Sequence, residues 1–217
     1  MRIVVTAGPT REPIDPVRFL SNRSSGKMGY AIAEAALAAG HEVTLISGRV
    51  NLCAPKNVHL ESIETSDEMY ESVQRAIQDC DVLVMCAAVA DYKPAKYSRE
   101  KLKKKSAGLA LELVPTRDIL ASVAAQDRSF LVVGFAAETE NIAENAPRKL
   151  RQKKCDLIVA NNVSRDDFGM ESDENEVTIF FKNGEERKIS RAPKKIIAHE
   201  LVKIISKMRE KRLTKKT

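Results

Sequence analysis

The opening of the chain constrains its fold more than any other stretch. Residues 2–6 form a short apolar, β-branched run that ends in Ala7-Gly8-Pro9, the pattern of a buried strand entering a loop. After a long loop to about Ser25, the apolar positions Met28, Ile32, Ala35, Ala36 and Ala39 recur at helical spacing, and Gly40 supplies the C-terminal stop. Residues 42–46 then read as a second strand. Strand, helix and strand in this order predict an open parallel sheet, because parallel neighbours need a crossover and a helix is the usual one.

The same rhythm recurs downstream. Strands are expected at residues 58–63, 81–85, 130–133 and 156–160, with helices opening at the capping box Thr65-Ser-Asp-Glu68, over 117–125, and in a stretch up to Lys154. Pro147 predicts a kink in that stretch or the start of its main part, since proline is best tolerated in a first turn. Residues 93–113 break the pattern with Pro94, a basic cluster at Lys101, Lys103, Lys104 and Lys105, and the alternating run 109–113, and they read as a flap or inserted hairpin. A late antiparallel hairpin is signalled by residues 177–181 and the turn Asn183-Gly184. An amphipathic helix carrying Ile197, Leu201, Ile204, Ile205 and Met208 follows, then a frayed basic tail to Thr217. The expected fold is α/β: a Rossmann-like, doubly wound, mostly parallel sheet in one domain over residues 1–217, with the inserted flap and the late antiparallel hairpin added to it.

A composition of 43% hydrophobic and 30% charged residues argues against disorder and against a disulfide-dense miniprotein. No apolar run approaches the ~18 to 20 residues of a membrane span, and no signal-peptide pattern opens the chain, so a cytoplasmic location without membrane association is expected. Cys53, Cys80, Cys86 and Cys155 show no Cys-x-x-Cys spacing, which signals neither a zinc site nor a disulfide framework. The net charge of +6 makes an anionic partner worth considering, whether nucleic acid, a membrane surface or a phosphorylated metabolite. The absence of tryptophan and only 5% aromatic residues leave few platforms for stacking single-stranded nucleic acid.

Ser24-Ser-Gly-Lys-Met-Gly29 sits at the amino end of the first helix, where backbone N–H groups and the positive dipole end suit a phosphate. It matches neither G-x-G-x-x-G after the first strand nor G-x-x-x-x-G-K-[ST], and a serine N-cap with glycines for tight packing is the plain alternative. Small residues from Cys86 to Ala90, ahead of Asp91 and Tyr92, fall at a strand's carboxyl end, where doubly wound sheets place their ligands. Tyr92/Lys96 and Tyr97/Lys101 have the Tyr-x-x-x-Lys spacing of short-chain dehydrogenases, but Pro94 interrupts the helix that this chemistry needs, so hydride transfer is disfavoured. The lysine cluster is either a solvated basic flap or one that closes over a polyphosphate. Asp91, Asp118 and Glu138 are near strand ends or turns and are candidates to hold Mg²⁺ through oxygen. His41, His59 and His199 have no companion nucleophile, which argues against a histidine-based triad.

Six segments together resemble the bacterial phosphopantothenoylcysteine synthetase (phosphopantothenate-cysteine ligase) family of coenzyme A biosynthesis. They are Thr6-Ala-Gly-Pro-Thr-Arg-Glu-Pro13 with Asp15-Pro-Val-Arg18, Ser21-Asn-Arg-Ser-Ser-Gly-Lys-Met-Gly29, Ala87-Ala-Val-Ala-Asp-Tyr92, Lys101-Leu-Lys-Lys104, Val133-Gly-Phe-Ala-Ala-Glu-Thr139 and Asp156-Leu-Ile-Val-Ala-Asn161. The resemblance is to the CTP-using form, free-standing and without the flavin-dependent decarboxylase half, so no flavin is expected. It implies that 4′-phosphopantothenate and CTP give an acyl-cytidylate and pyrophosphate, and that the amine of cysteine then displaces CMP. Mg²⁺ would accompany the nucleotide phosphates, with Asp91 as the candidate protein ligand.

The resemblance also implies residue roles. Asn22 would hold the acyl-cytidylate and assist its conversion, and Lys101 would contact the nucleotide and stabilise charge during transfer. CTP would lie against Met85, Cys86, Ala87, Asp91, Arg117, Asp118, Ile119, Leu120, Phe135, Lys149 and Lys153, with phosphate at Ser24, Ser25 and Gly26. At Arg117-Asp118 the family often has Pro-Asp, so that part rests mainly on Asp118. The implied partners are a second copy of the chain, with residues 93–113 forming part of the dimer interface and covering the active site, and a separate phosphopantothenoylcysteine decarboxylase. Nucleic acid is not among them.

Overall fold

A computed structural model describes residues 1–104, 108–138, 142–162 and 171–214. Its centre is an eight-stranded sheet. The first strand, β1 (Arg2–Ala7), is followed by a small hairpin of β2 (Arg11–Pro13) and β3 (Phe19–Ser21), then by α1 (Lys27–Ala38), β4 (Glu42–Ser47), β5 (His59–Ser62), α2 (Ser66–Ala76) and β6 (Val82–Met85). A second hairpin of β7 (Tyr92–Pro94) and β8 (Leu113–Pro115) precedes α3 (Ile119–Ala124), β9 (Leu131–Glu138), α4 (Ile142–Gln152) and β10 (Leu157–Asn162). The chain closes with β11 (Glu174–Phe181), β12 (Glu186–Pro193) and α5 (Lys194–Thr214).

The sheet order is β12-β11-β10-β9-β6-β1-β4-β5. The strands from β10 to β5 are parallel throughout, and β11 and β12 add on antiparallel at the β10 edge. The chain moves outward from β1 through β4 to β5 and then returns to place β6 on the other side of β1. That reversal makes the carboxyl ends of β1 and β6 the topological switch point, where open α/β sheets leave a crevice for ligands. The expected doubly wound architecture is therefore the one observed.

Alternation along each strand divides the core in two. Ile3, Val5, Val43, Leu45, Val84 and Val133 face α1 and α5, whereas Val4, Ile46, Leu83, Val132 and Ile158 face α2, α3 and α4. Val5, Leu45 and Leu83 are fully buried, and each such side chain stabilises the fold by about 1.5–3 kcal/mol relative to exposure. Gly29 brings α1 unusually close to the sheet: a Cβ there would lie 2.6 Å from the Ala7 Cβ. The expected capping box is present, with Glu68 N–H donating to Thr65 Oγ1 at 3.2 Å.

Two local expectations, for the loop after β1 and for the C-terminal tail, are corrected, and two others gain detail. The long loop after β1 contains the β2–β3 hairpin, whose three-residue strands are too short to show alternation. Its turn is closed by Asp15, which accepts the N–H groups of Val17 and Arg18 at 2.9 Å each, and the hairpin is fastened to α2 because the buried Glu12 accepts the Ser66 N–H at 2.9 Å. The inserted hairpin is present: among the described residues of the insert, pairing is that of β7 with β8, and of the alternating run 109–113 only Leu113 lies in a strand. Helix α4 starts at Ile142 and carries Pro147 in its interior, with Ala146 and Leu150 buried on either side. Finally, the basic tail after Met208 continues α5 to Thr214. Arg209 donates to Asp81 and to the Ser129 carbonyl at 2.8 Å each, and Arg212 donates to the Phe130 carbonyl at 3.2 Å. These anchors at the amino edge of the sheet hold residues 209–214 in the helix. Lys105 and residues 215–217 lie outside the described residues.

Candidate functional site

At the switch point the chain segments after β1 and β6 are zipped together. Thr6 Oγ1 accepts the N–H groups of Cys86 and Ala87 at 3.1 Å each. Ala88 N–H donates to the Gly8 carbonyl at 2.9 Å, Thr10 N–H donates to the Ala88 carbonyl at 3.2 Å, and Ala90 N–H donates to Thr10 Oγ1 at 3.0 Å. Small side chains at 86–90 let the backbone run this close and leave it as the wall of a cavity of about 410 Å³.

Asn22 enters the cavity from the loop after β3, its Nδ2 donating to the Ala88 carbonyl at 2.9 Å. Gly26 then starts α1 with φ +77°, in the left-handed region that favours glycine, and no side chain among the described residues caps the helix. The first N–H groups of α1 are thus left as donors beside Gly26, Lys27, Met28 and Gly29, all of which line the cavity. The positive end of the helix adds to the attraction for an anion.

Among the described residues, charge in the cavity is mostly positive: Lys27, Lys149 and Lys194 line it with the carboxylate of Asp91. Lys27 Nζ reaches Asp173 at 2.7 Å and the Glu171 carbonyl at 2.9 Å. Burial pushes the Lys194 ammonium below the usual lysine range, and Lys27 pushes it the same way. Burial also raises the Cys86 thiol to about 12, so it stays protonated near neutral pH and is no thiolate nucleophile.

The sequence-predicted residues divide into two groups. Asn22, Ser24, Gly26, Cys86, Ala87, Asp91, Phe135 and Lys149 line the one cavity. Ser25 lines an adjoining, strongly basic depression with Arg11, Arg23 and Arg49. Met85 and Ile119 are buried in the core beneath, with Leu120 packed against it. Arg117 faces α2, its guanidinium 4.9 Å from the Tyr70 ring centroid and 3.8 Å from Asp67. Asp118 caps α3 by accepting the Ala121 N–H at 2.9 Å and pairs with Lys153. Burial alone would raise the Asp118 pKa, but the hydrogen bonds from Lys153 and Ala121 outweigh it and the net shift is downward.

Lys101 does not line the cavity. Its neighbour Leu102 is tied to the turn between β2 and β3, donating its N–H to Asp15 Oδ2 at 3.1 Å and accepting from Arg18 at 2.8 Å. The Arg18 guanidinium holds the Asp15 carboxyl well below the usual carboxylate range, against the desolvation that would raise it, with help from the Val17 and Leu102 N–H groups. Asn161, Asn175 and Lys194 line the cavity without having been assigned a role from sequence. Asn161 was legible from its place at the carboxyl end of a parallel strand; Lys194, in the run Pro-Lys-Lys, has the look of a surface position.

The donor set fits Mg²⁺ held largely by phosphate oxygens. No group of three or more His, Cys, Asp or Glu side chains among the described residues is arranged to hold a metal by itself, and Asp91 is the one carboxylate lining the cavity. Asp118 is occupied by Lys153, and the side chain of Glu138 lies outside the described part. No helix among the described residues is long and apolar enough to cross a membrane.

Residues 1–208 match the family described as "DNA/pantothenate metabolism flavoprotein C-terminal domain". The coenzyme A biosynthesis bifunctional protein CoaBC of Vibrio vulnificus (strain CMCP6) is 45% identical over 207 residues, covering 94% of this chain and 51% of that protein. The protein of the same name from Bacillus subtilis (strain 168) is 44% identical over 205 residues, covering 94% and 50%. The chain thus spans about half the length of the curated relatives it matches. A crystal structure of the C-terminal domain of CoaBC superposes with a TM-score of 0.83 at 42% identity, covering 97% of this chain and 96% of that one. Fold and sequence agree, and the chain belongs to the DNA/pantothenate metabolism flavoprotein C-terminal domain family, the CoaB part of CoaBC.

Proposed function

We propose that this chain joins 4′-phosphopantothenate to cysteine in coenzyme A biosynthesis, using CTP through an acyl-cytidylate. The observation that carries this reading is the convergence of Asn22, the uncapped start of α1 and three lysines on one cavity at the switch point. The names of the relatives place them in coenzyme A biosynthesis, which gives the anionic ligands a chemical identity.

A carboxylate is a poor electrophile, so its oxygen must become a good leaving group before an amine can attack. The carboxylate oxygen attacks the α-phosphorus of CTP and pyrophosphate leaves; the amine nitrogen then attacks the acyl carbon, the C–O bond to CMP breaks, and the nitrogen releases its proton to solvent as the amide forms. Lys149, Lys194 and the α1 N–H groups hold phosphate charge, and the Asn22 amide, fixed by the Ala88 carbonyl, is placed to stabilise the oxyanion of the second step. Lys101 contacts the nucleotide and stabilises charge during transfer in this reading. Asp91 would hold Mg²⁺ together with the nucleotide phosphates, and the ion would supply neutralisation of their charge.

The chain acts as a homodimer in this reading. Val17, Phe19, Tyr92, Leu109, Leu111 and Leu113 are exposed on the two hairpins and the insert between them, an apolar face for a second copy. A separate phosphopantothenoylcysteine decarboxylase is a further partner in this reading.

The test is pyrophosphate release by the purified chain, run with each nucleoside triphosphate. Release is expected with CTP only when 4′-phosphopantothenate is present, with amide product only after cysteine is added. Failure to release pyrophosphate with every triphosphate, or release independent of the acid, would contradict the assignment.

A further inference from the structure

We propose that the basic depression beside the main cavity is the amino-acid site, where arginines take the α-carboxylate of cysteine and leave its amine facing Asn22. The inference rests on the function proposed above and deepens it, because it names where the attacking amine binds.

The depression, about 390 Å³, is lined by Pro9 after β1 and by Arg49 and Val50 after β4. It therefore opens at the carboxyl edge of the sheet, on the side of β1 away from β6 and the main cavity. Asn22, Ser24 and Lys27 line both spaces, so the start of α1 is the wall between them. An acyl group held in the main cavity with its carbon at the Asn22 amide is then open to an amine from the second space, while the departing nucleotide keeps the first.

The arginines stand on supported backbone. Val50, next to Arg49, packs so closely that a Cβ on Gly8 would lie 2.9 Å, and one on Gly26 2.8 Å, from its Cγ1. On the other wall the Arg11 guanidinium lies 4.6 Å from the Phe19 ring centroid, and Ser21 Oγ donates to the Thr10 carbonyl at 2.8 Å. Arg23 lines the same space from the loop after β3.

Among the described residues, the charges of this space suit a zwitterion better than a polyanion. Lys27 is paired with Asp173 at 2.7 Å and Arg49 faces Glu64 at 3.5 Å, so part of the positive charge is already answered. A guanidinium carries five donors in a fixed fork, and an ion pair through one nitrogen leaves others to take a carboxylate. Glu171 adds a carboxylate to the lining, which would repel a polyphosphate and attract the ammonium of a waiting amino acid. Pro9, Val50 and Leu52 provide an apolar part for a short side chain such as that of cysteine.

The test compares cysteine with cysteamine, which has the same amine and thiol but no carboxylate, in amide formation by the full chain. The wild type is expected to prefer cysteine. Arg23→Gln combined with Arg49→Gln should cut that preference in kcat/KM by roughly tenfold, the loss of about one charge-assisted hydrogen bond, with the KM for 4′-phosphopantothenate unchanged. Both arginines are exposed, so the unfolding midpoint should stay in place. Arg187→Gln, which alters an exposed arginine paired with Glu200 on β12, should keep the full preference. Saturation-transfer NMR of cysteine with the chain reads the same site without turnover: a signal with the wild type and the Arg187 variant, and a weaker one with the double variant. A raised KM for 4′-phosphopantothenate with the cysteine preference intact would show that the arginines hold a phosphate, and overturns the site. So does an unchanged preference, or no transfer signal with the wild type. Cysteine binding lost in the double variant, in a chain that makes no amide, would keep the site and contradict the ligase reading.

Discussion

Gly48→Ala is expected to cost about 3 kcal/mol in urea denaturation and to abolish pyrophosphate release in the same preparation. A Cβ at Gly48 would lie 1.9 Å from the Pro9 carbonyl oxygen, a backbone atom that cannot move aside as a flexible side chain can. Pro9 pairs with Ala88, and the Ala88 carbonyl accepts both the Thr10 N–H and the Asn22 amide. Displacing Pro9 therefore moves the wall of the cavity and the anchor of Asn22 together. Gly40→Ala is the comparison: Gly40, unlike Gly48, has a left-handed backbone, φ +78°, but a Cβ there would meet nothing within 4 Å. Its cost should stay near the ~1–2 kcal/mol of left-handed strain, with activity retained. Equal destabilisation by the two substitutions would show that the crowding at Pro9 is not what holds the site.

Asn22→Ala should reduce amide formation by about 100-fold or more, the usual effect of removing one oxyanion donor. Asn22 is exposed and makes one hydrogen bond, to the Ala88 carbonyl, so the unfolding midpoint should barely change. The loss should fall on the step after pyrophosphate release, with acyl-cytidylate accumulating. Full ligase activity in a folded Asn22→Ala variant would remove the role assigned to its amide.

Much of this architecture was legible because most of the parallel strands are nearly continuous apolar runs, separated by stretches of helical spacing such as those of α1 and α2. The capping box at Thr65 and the β11–β12 turn at Asn183-Gly184 were readable for the same reason, since their chemistry is local. The β2–β3 hairpin was not, because its strands are short and its turn depends on Asp15 and on the distant Ser66 N–H. Nor was the length of α5: the sequence after Met208 is polar, and only the pairing of Arg209 and Arg212 with groups at the start of β6 and β9 keeps it helical. Helix α4 runs through Pro147 because tertiary burial of Ala146 and Leu150 overrides a local preference.

The cavity shows the same division. Asn22, Ser24 and Gly26 are contiguous and sit at the start of a helix, so their proximity could be read from the chain. Lys194 and Asn175 arrive from an antiparallel extension more than a hundred residues away, and no local pattern marks them. Conversely, Arg117 belongs to a stretch with clear strand-end chemistry, yet its guanidinium stacks on Tyr70, where α2 offers an aromatic face and a carboxylate.

The central claim is that the carboxylate is activated as an acyl-cytidylate, and the fate of one oxygen tests it. With 4′-phosphopantothenate labelled with ¹⁸O in its carboxylate, turnover in the presence of CTP and cysteine should leave one labelled oxygen in CMP. That outcome follows because the carboxylate oxygen attacks the α-phosphorus and departs with it. Label found in inorganic phosphate with CDP as the nucleotide product, or CMP free of label while amide accumulates, would contradict the account.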